Sequence, residues 1–174
     1  MQGTVQIVDD DSDVGDLLRG ALAKRGFSTT AVTSAEASLA ALEQSPVDVV
    51  VTDIHMGTMS GIELCQQIRK NHPDTLAIVM TGAADLGTAI AAIQAGAYDY
   101  ITKPVAADAL AIVVSRGVEH LKLKRELASL RKTVAPAHGI SGTSATIRAT
   151  IDMVARVVSS DATVLITGES GTGK

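Results

Sequence analysis

Aromatic residues are nearly missing from this chain of 174 residues: there is no tryptophan, one phenylalanine (Phe27) and two tyrosines (Tyr98 and Tyr100). Since 46% of the residues are hydrophobic, the core has to be aliphatic, packed from Val, Ile, Leu and Ala. A single cysteine, Cys65, excludes an internal disulfide framework and fits a reducing compartment. It lies on an apolar helical stripe and reads as core. No apolar stretch approaches the ~20 residues that a membrane-spanning helix needs, and the N-terminus does not resemble a signal peptide. The chain is therefore expected to be cytoplasmic, with one ordinary domain and something small beside it, or one large domain.

Positive charge is scarce in the first 120 residues, where 7 Lys/Arg face 15 Asp/Glu, a net of −8; residues 121–174 hold 8 against 4, a net of +4. The run Lys122 to Lys132 at this boundary is helical in pattern rather than rich in Pro or Gly. It lacks the aromatic interleaving of a nucleic-acid surface and reads as a solvated helix.

Up to residue 120, strand and helix patterns alternate with little spare loop. Apolar runs near 4–8, 28–32, 47–52, 76–81 and 97–101 read as strands. Between them Val14, Leu17, Leu18, Ala21 and Leu22 recur at helical spacing, as do Leu64, Cys65 and Ile68, then Leu86, Ile90 and Ile93. Ser12 can cap the first helix, with Asp13 and Asp16 in its opening turn. Gly26 stops that helix, Gly96 ends the fourth, and Pro46 and Pro73 fall in loops. Five βα units imply a doubly wound parallel α/β sheet with helices on both faces. Leu110, Val113, Val114 and Gly117 of the fifth helix face that sheet. Beyond them Leu123, Leu127, Leu130 and Val134 continue at spacings of 4, 3 and 4. Such a stripe suggests a coiled-coil seam and a homodimer; the alternative is a long helix folding back on its own domain.

Asp53 ends the run Val47–Thr52, and Asp9-Asp10-Asp11 end the run Val5–Val8. Buried strands that both finish in acids put their carboxylates at one edge of a parallel sheet, where open α/β sheets bind ligands. Carboxylates crowded there repel one another unless a cation joins them. Asp9, Asp10 and Asp53 are oxygen donors suited to magnesium, as is a backbone carbonyl just beyond Asp53. Thr81 and Lys103 follow the fourth and fifth strand patterns, so they should reach the same edge with a hydroxyl and a mobile cation. Asp11 reads as a solvated acid at the start of the helix rather than a fourth ligand. His72, His120 and His138 have no partner pattern pointing to metal or catalysis.

Over residues 3–120 the sequence resembles the receiver domain of bacterial response regulators. The residues that carry the resemblance are Asp9-Asp10, Asp53 in Thr-Asp-Ile-His-Met, Thr81 in Met-Thr-Gly, Tyr100, and Lys103-Pro104. The resemblance implies a flavodoxin-like sheet of strand order 2-1-3-4-5. It also implies that Asp53 accepts a phosphoryl group from a sensor histidine kinase or a small phosphodonor. Asp10 would bind Mg2+ directly and Asp9 mainly through water, with the backbone carbonyl of His55 as third ligand. Lys103 and Thr81 would contact the phosphoryl group, Tyr100 would turn inward as Thr81 moves, and the bond before Pro104 would be cis. Two positions depart from the family's usual Met-Pro-x-Met-Asp-Gly, here Met56-Gly57-Thr58-Met59-Ser60-Gly61. Gly57 in place of proline should loosen the loop, and Ser60 in place of an acid could still cap the third helix.

Near the C-terminus, Ser144 could cap a helix with Ile147, Ile151, Val154 and Val158 on its apolar face, followed by a strand at 163–167. Gly168, Gly171, Gly173 and Lys174 then fit the phosphate-cradling pattern Gly-x-x-x-x-Gly-Lys. Residues 139–174 resemble the opening of the AAA+ domain of NtrC-type sigma-54-dependent activators. The implied division is receiver 1–120, linker helix 121–138 and AAA+ opening 139–174. With no residue left for a Walker B acid, a sensor or an arginine finger, the chain is not expected to hydrolyse ATP. ATP, sigma-54 RNA polymerase and DNA would be engaged only through parent regions beyond it. Two other readings stand beside this one. A receiver fold could serve as an unphosphorylated interaction module, against which the intact Asp9, Asp10, Asp53, Thr81 and Lys103 argue. A metal-dependent phosphohydrolase with an aspartyl nucleophile would commonly need a second acid two residues on, where His55 stands.

Overall fold

A computed structural model describes residues 3–82, 86–133, 144–157 and 165. It divides into two compact units, Met1–Glu126 and Leu127–Lys174.

The first unit alternates strand and helix: β1 (Thr4–Val8), α1 (Ser12–Ala23), β2 (Ser28–Val32), α2 (Ala35–Gln44), β3 (Val49–Asp53), α3 (Gly61–Asn71), β4 (Leu76–Gly82), α4 (Leu86–Ala95), β5 (Asp99–Lys103) and the start of α5 (Ala107–Thr133). All strand pairs are parallel and the order is β2-β1-β3-β4-β5, the doubly wound arrangement expected from the alternation of patterns. Burial follows position in the sheet. Every residue of central β3 is buried, whereas edge strand β2, Ser-Thr-Thr-Ala-Val, has no buried residue and β5 alternates between half-buried and exposed. A strand covered by helices on both faces reads as a continuous apolar run, and an edge strand need not.

Two aliphatic cores flank the sheet. One joins Val5, Ile7, Val49, Val51, Ile78 and Met80 to Leu18 and Leu22 of α1 and to Leu110 and Val114 of α5. The other joins Val8, Val50 and Val79 to Leu42, Leu64, Cys65, Ile68 and Ala92 of α2, α3 and α4. Burial pushes the Cys65 thiol up to about 12, so it behaves as a small hydrophobe. One polar pair interrupts this core: the buried Ser38 hydroxyl donates to Gln6 Oε1 at 2.6 Å, so neither group is left unsatisfied.

Several local expectations are corrected. The cap of α1 is Asp11, whose carboxylate accepts from the Asp13 and Val14 amides at 2.9 and 3.4 Å; Ser12 is already helical. Strand β3 starts at Val49 and runs on to Asp53. Strand β5 starts at Asp99, two residues later than the apolar run suggests. Gly96, at φ 108°, turns the chain out of α4, the Ala97 amide still bonds back to Ala92, and Tyr98 donates to Ala77 ahead of the ladder. Apolar spacing located α1 and most of its buried face, with Val14, Leu18, Ala21 and Leu22 turned inward, but in α4 it located the helix and not the buried face. Leu17 is 72% exposed, and in α4 Ile90 and Ile93 are exposed while Ala89, Ala92 and Ala95 are buried. Small residues let the α4 backbone lie close to the sheet and leave the larger side chains outside.

Helix α5 continues without a break through Thr133, 27 residues or about 40 Å at the usual rise. Leu121 is fully buried, and Leu123 is exposed. At the start of β3, the Asp48 carboxylate accepts from the Thr4 amide (2.8 Å), the Thr4 hydroxyl (2.9 Å) and Arg125 Nη1 (2.8 Å). The neighbouring Lys124 reaches the Pro73 carbonyl at 2.9 Å and Asp74 at 3.2 Å. These bonds hold the helix as far as Arg125 against its own domain.

In the second unit, Leu127 is exposed and α6 (Ala145–Val157) is capped by Ser144, whose hydroxyl accepts the Ile147 amide at 3.2 Å. Ile147, Ile151 and Val154 share its half-buried face. The side chain of Leu130, and Val134 and Val158, lie outside the described residues, as does the strand expected at 163–167 apart from Leu165.

Burial opposes the charge on Asp48, but the Thr4 amide, Arg125 and the Thr4 hydroxyl outweigh it and hold the carboxyl below its ordinary value. Asp48→Asn should therefore lower stability by about 1–3 kcal/mol near neutral pH. A group whose pKa is depressed by folding stabilises above its unfolded value. The gap between variant and wild type should be full above pH 3.8 and close as pH falls toward the depressed value, which urea titrations at several pH values would measure.

Candidate functional site at the carboxyl edge of the sheet

The β1–β3 register pairs Val8 with Thr52, so Asp9 and Asp53 leave adjacent strands at the same level. On the other side, Asp53 pairs with Met80, and Gly82 pairs with Lys103. Asp9 and Asp53 are buried (2% and 8% exposed) and Asp10 is exposed. One carboxylate oxygen from each of Asp9, Asp10 and Asp53 can be chosen so that all lie within 4.8 Å of one another.

Lys103 answers this concentration of negative charge. Its ammonium lies 2.8 Å from Asp53 Oδ2 and 3.3 Å from Asp9 Oδ2. Partial burial works against the charged amine, yet the hydrogen bond and charge of Asp53, then those of Asp9, raise its pKa above the ordinary lysine value. The second oxygen of Asp53 accepts the Ile54 amide at 2.8 Å, and that of Asp9 accepts the Asp11 amide at 3.0 Å. Thr81 is buried at the end of β4, its hydroxyl only weakly engaged with the Gly82 carbonyl at 3.5 Å. Tyr100 is 39% exposed and faces out, beside Ala89, Ile90 and Ile93 of α4. The His55 side chain is exposed, and the Lys103–Pro104 bond is cis. Asp9, Asp10, Asp53 and Lys103 thus converge on one edge, with Thr81 at the end of the adjacent strand. Gly168, Gly171, Gly173 and Lys174 lie outside the described residues.

Two features of the site escaped sequence reasoning. Gly61, the first residue of α3, has no room for a side chain: a Cβ there would lie 2.0 Å from the Asp53 carbonyl oxygen and 3.1 Å from Thr52 Oγ1. Its amide also donates to the Ile54 carbonyl at 3.0 Å. The helix therefore begins directly against the backbone of Asp53, and a glycine just after a capping serine was the signal available. Thr52 is the second feature. Its buried hydroxyl donates to the Asp53 carbonyl at 2.9 Å and lies 3.7 Å from the Met56 sulfur. Ser60 caps α3 as expected, in a reciprocal capping box with Glu63.

The domain is thus a doubly wound parallel sheet with three clustered acids and a lysine at its carboxyl edge. Residues 5–115 match the response regulator receiver domain family, and residues 140–174 match the sigma-54 interaction domain. The chain belongs to the response regulator receiver family and is homologous to the NtrC and NtrX regulators. It is 35% identical to the nitrogen assimilation regulatory protein NtrX of Azorhizobium caulinodans, over all of this chain and 38% of that protein. It is equally similar to the DNA-binding transcriptional regulator NtrC of Escherichia coli K12, over 99% of this chain and 37% of that one. The chain thus spans little more than a third of the length of these relatives. Among solved structures, NtrX from Brucella abortus in complex with ADP superimposes with a TM-score of 0.72 at 35% identity, covering 90% of this chain and 35% of that one. The receiver domain of the same NtrX gives 0.63 at 35% identity, covering 66% and 98%. Among the described residues, no helix is long and apolar enough to cross a membrane.

Gly61→Ala should cost about 1–3 kcal/mol, the usual range for forcing a methyl into filled space. It should also shift the Ile54 and Asp53 amide resonances, because the carbonyl it strikes belongs to the site. Denaturant unfolding together with an amide correlation spectrum would measure both.

Proposed function

We propose that this chain is a phosphorylation-controlled switch in which Asp53 is the phosphoacceptor. The observation that carries the reading is the clustering of Asp53 with Asp9 and Asp10 at the sheet edge, where Lys103 reaches both Asp53 and Asp9. A carboxylate oxygen of Asp53 attacks the phosphorus of a phosphohistidine on a sensor histidine kinase, or of a small acyl phosphate. An O–P bond forms to Asp53, the bond from phosphorus to the donor breaks, and the donor leaves with the electron pair. Lys103, already bonded to Asp53 Oδ2, is in position to follow the transferred charge, and the weakly held Thr81 hydroxyl is free to turn toward it.

The donor set fits a hard divalent cation, since carboxylates on two adjacent strands present oxygens within one small volume. Asp9, Asp10, Asp53 and the backbone carbonyl of His55 would hold Mg2+. When bound, that ion would offset the charge on the phosphoryl oxygens.

Phosphorylation would act outward through Thr81 and Tyr100 to the face formed by α4 and α5, altering a homodimer built along the long helix. The division we assign is receiver 1–120, linker 121–138 and, over 139–174, the opening of a sigma-54 interaction domain. Gly168, Gly171, Gly173 and Lys174 would cradle the phosphates of ATP only in a chain carrying the whole domain. Sigma-54 RNA polymerase and DNA would likewise be engaged only there, in the cytoplasm. The receiver itself is a phosphoacceptor and not a turnover enzyme.

Incubation with acetyl phosphate and Mg2+ should add one phosphoryl group to the intact mass. Asp53→Ala should add none, and neither should wild type in a chelator. Lys103→Gln should slow the gain roughly tenfold, the worth of one lost charge-assisted contact. If wild type also fails to bind beryllofluoride, Asp53 is not a phosphoacceptor and the interaction-module reading takes its place.

A further inference from the structure

Between Asp53 and α3 the chain runs through Ile54–Ser60, and the His55 carbonyl assigned to the cation lies within this loop. Both ends are held. The Ile54 amide donates to Asp53 Oδ1, the Ile54 carbonyl accepts the Gly61 amide, and Met56 is buried. At the far end Ser60 and Glu63 close the capping box. The tip is different: His55, Gly57 and Thr58 are exposed, and a Cβ at Gly57 would find nothing within 4 Å. A glycine with no packing around it gives the backbone its widest freedom just where the loop's carbonyls must be fixed.

One side-chain hydrogen bond ties that tip to another element. The Thr58 hydroxyl donates to the carboxylate of Glu36, 22 residues earlier in the first turn of α2. This bond, with the backbone amide of Glu36 itself, holds the Glu36 carboxyl below its ordinary value, and the start of a helix favours a negative charge there. Helix α2 is itself well anchored, through Leu42 in the core, the buried Ser38–Gln6 pair and the Ser34 cap. Glu36 therefore offers the loop a fixed point outside itself.

We infer that Glu36 is a positioning residue for the carboxyl-edge site: by accepting the Thr58 hydroxyl it holds the Gly57–Thr58 tip, and with it the His55 carbonyl, in the place the cation requires. The inference rests on the reading of Asp53 as phosphoacceptor, but its structural half can be measured without phosphorylation. The bond lies at the surface, where a single hydrogen bond adds little to global stability, so its effect is on the loop.

The test uses the full 174-residue chain and four variants: Glu36→Ala, Thr58→Val, the double variant, and Glu36→Gln, which keeps an oxygen acceptor. Amide hydrogen exchange over residues 54–59 is measured without metal, and Mg2+ affinity is then measured by titration. Glu36→Ala and Thr58→Val should each speed exchange and weaken Mg2+ binding by about threefold, with Tm unchanged in Thr58→Val and only slightly lowered in Glu36→Ala by the lost first-turn charge. The double variant should be no worse than either single one, because both remove the same bond. Glu36→Gln should stay near wild type. Additive losses in the double variant, unchanged exchange in both single ones, or Glu36→Gln behaving like Glu36→Ala would overturn the inference. Unchanged exchange while Asp53 is still phosphorylated sinks the tether alone. Coupled exchange effects in a chain that neither binds Mg2+ nor accepts a phosphoryl group sink the phosphoacceptor reading and leave the loop tether without a site to serve.

Discussion

The parallel register between β1 and β3 sets Val8 opposite Thr52, and the arrangement of the sheet edge follows from it. It places Asp9 and Asp53 side by side, both largely buried, with Asp10 close by. Two buried carboxylates next to each other are unfavourable unless something compensates them, since burial removes the water that would screen their repulsion. Lys103 supplies part of that compensation from a third strand, two places along the sheet. Its raised pKa is the same interaction seen from the cation's side. One lysine against three acids leaves the edge negative, which is the electrostatic condition for the cation and phosphoryl binding we propose.

The proposed switch would require that edge to be rigid enough to hold a geometry and loose enough to move. Rigidity comes from below: fully buried β3, aliphatic cores on both faces, and α3 starting flush against the Asp53 carbonyl because residue 61 has no side chain. The looser parts are the weakly bonded Thr81 hydroxyl, the outward Tyr100 and the tip around Gly57. They sit around the acids rather than beneath them. At the opposite end of the sheet, Asp48 and Asp74 take up Arg125 and Lys124. Helix α5 is thereby held to the first unit as far as Arg125. Up to that point it lies back on its own domain, and the stripe that suggests a dimer seam begins within that stretch at Leu123, which is exposed.

Gly57 and Ser60, the two departures from the family's usual loop, have different consequences. Ser60 replaces an acid without loss of the cap, because its hydroxyl accepts the Glu63 amide and Glu63 returns the bond. Gly57 has open space where a side chain would stand, and the Thr58–Glu36 bond is the contact we propose to steady the tip beside it. No local pattern could pair Thr58 with Glu36, since they meet only after β3 has been inserted beside β1.

Apolar runs and helical spacing determined the number, type and order of the elements in the first 120 residues, and strand-end acids marked where chemistry would gather. These signals are local, set by side-chain period and by what a buried strand tolerates at its tip. Tertiary structure decided what depends on neighbours distant in the chain. It chose alanines over isoleucines as the buried face of α4, because close approach to the sheet favours small side chains. It moved the start of β5 past the turn at Gly96, where Tyr98 bonds Ala77, whereas the cap of α1 fell to Asp11 through purely local bonds to Asp13 and Val14. It also explains Gly61, a residue whose identity is fixed by the space beside Asp53 and not by any preference of its own segment.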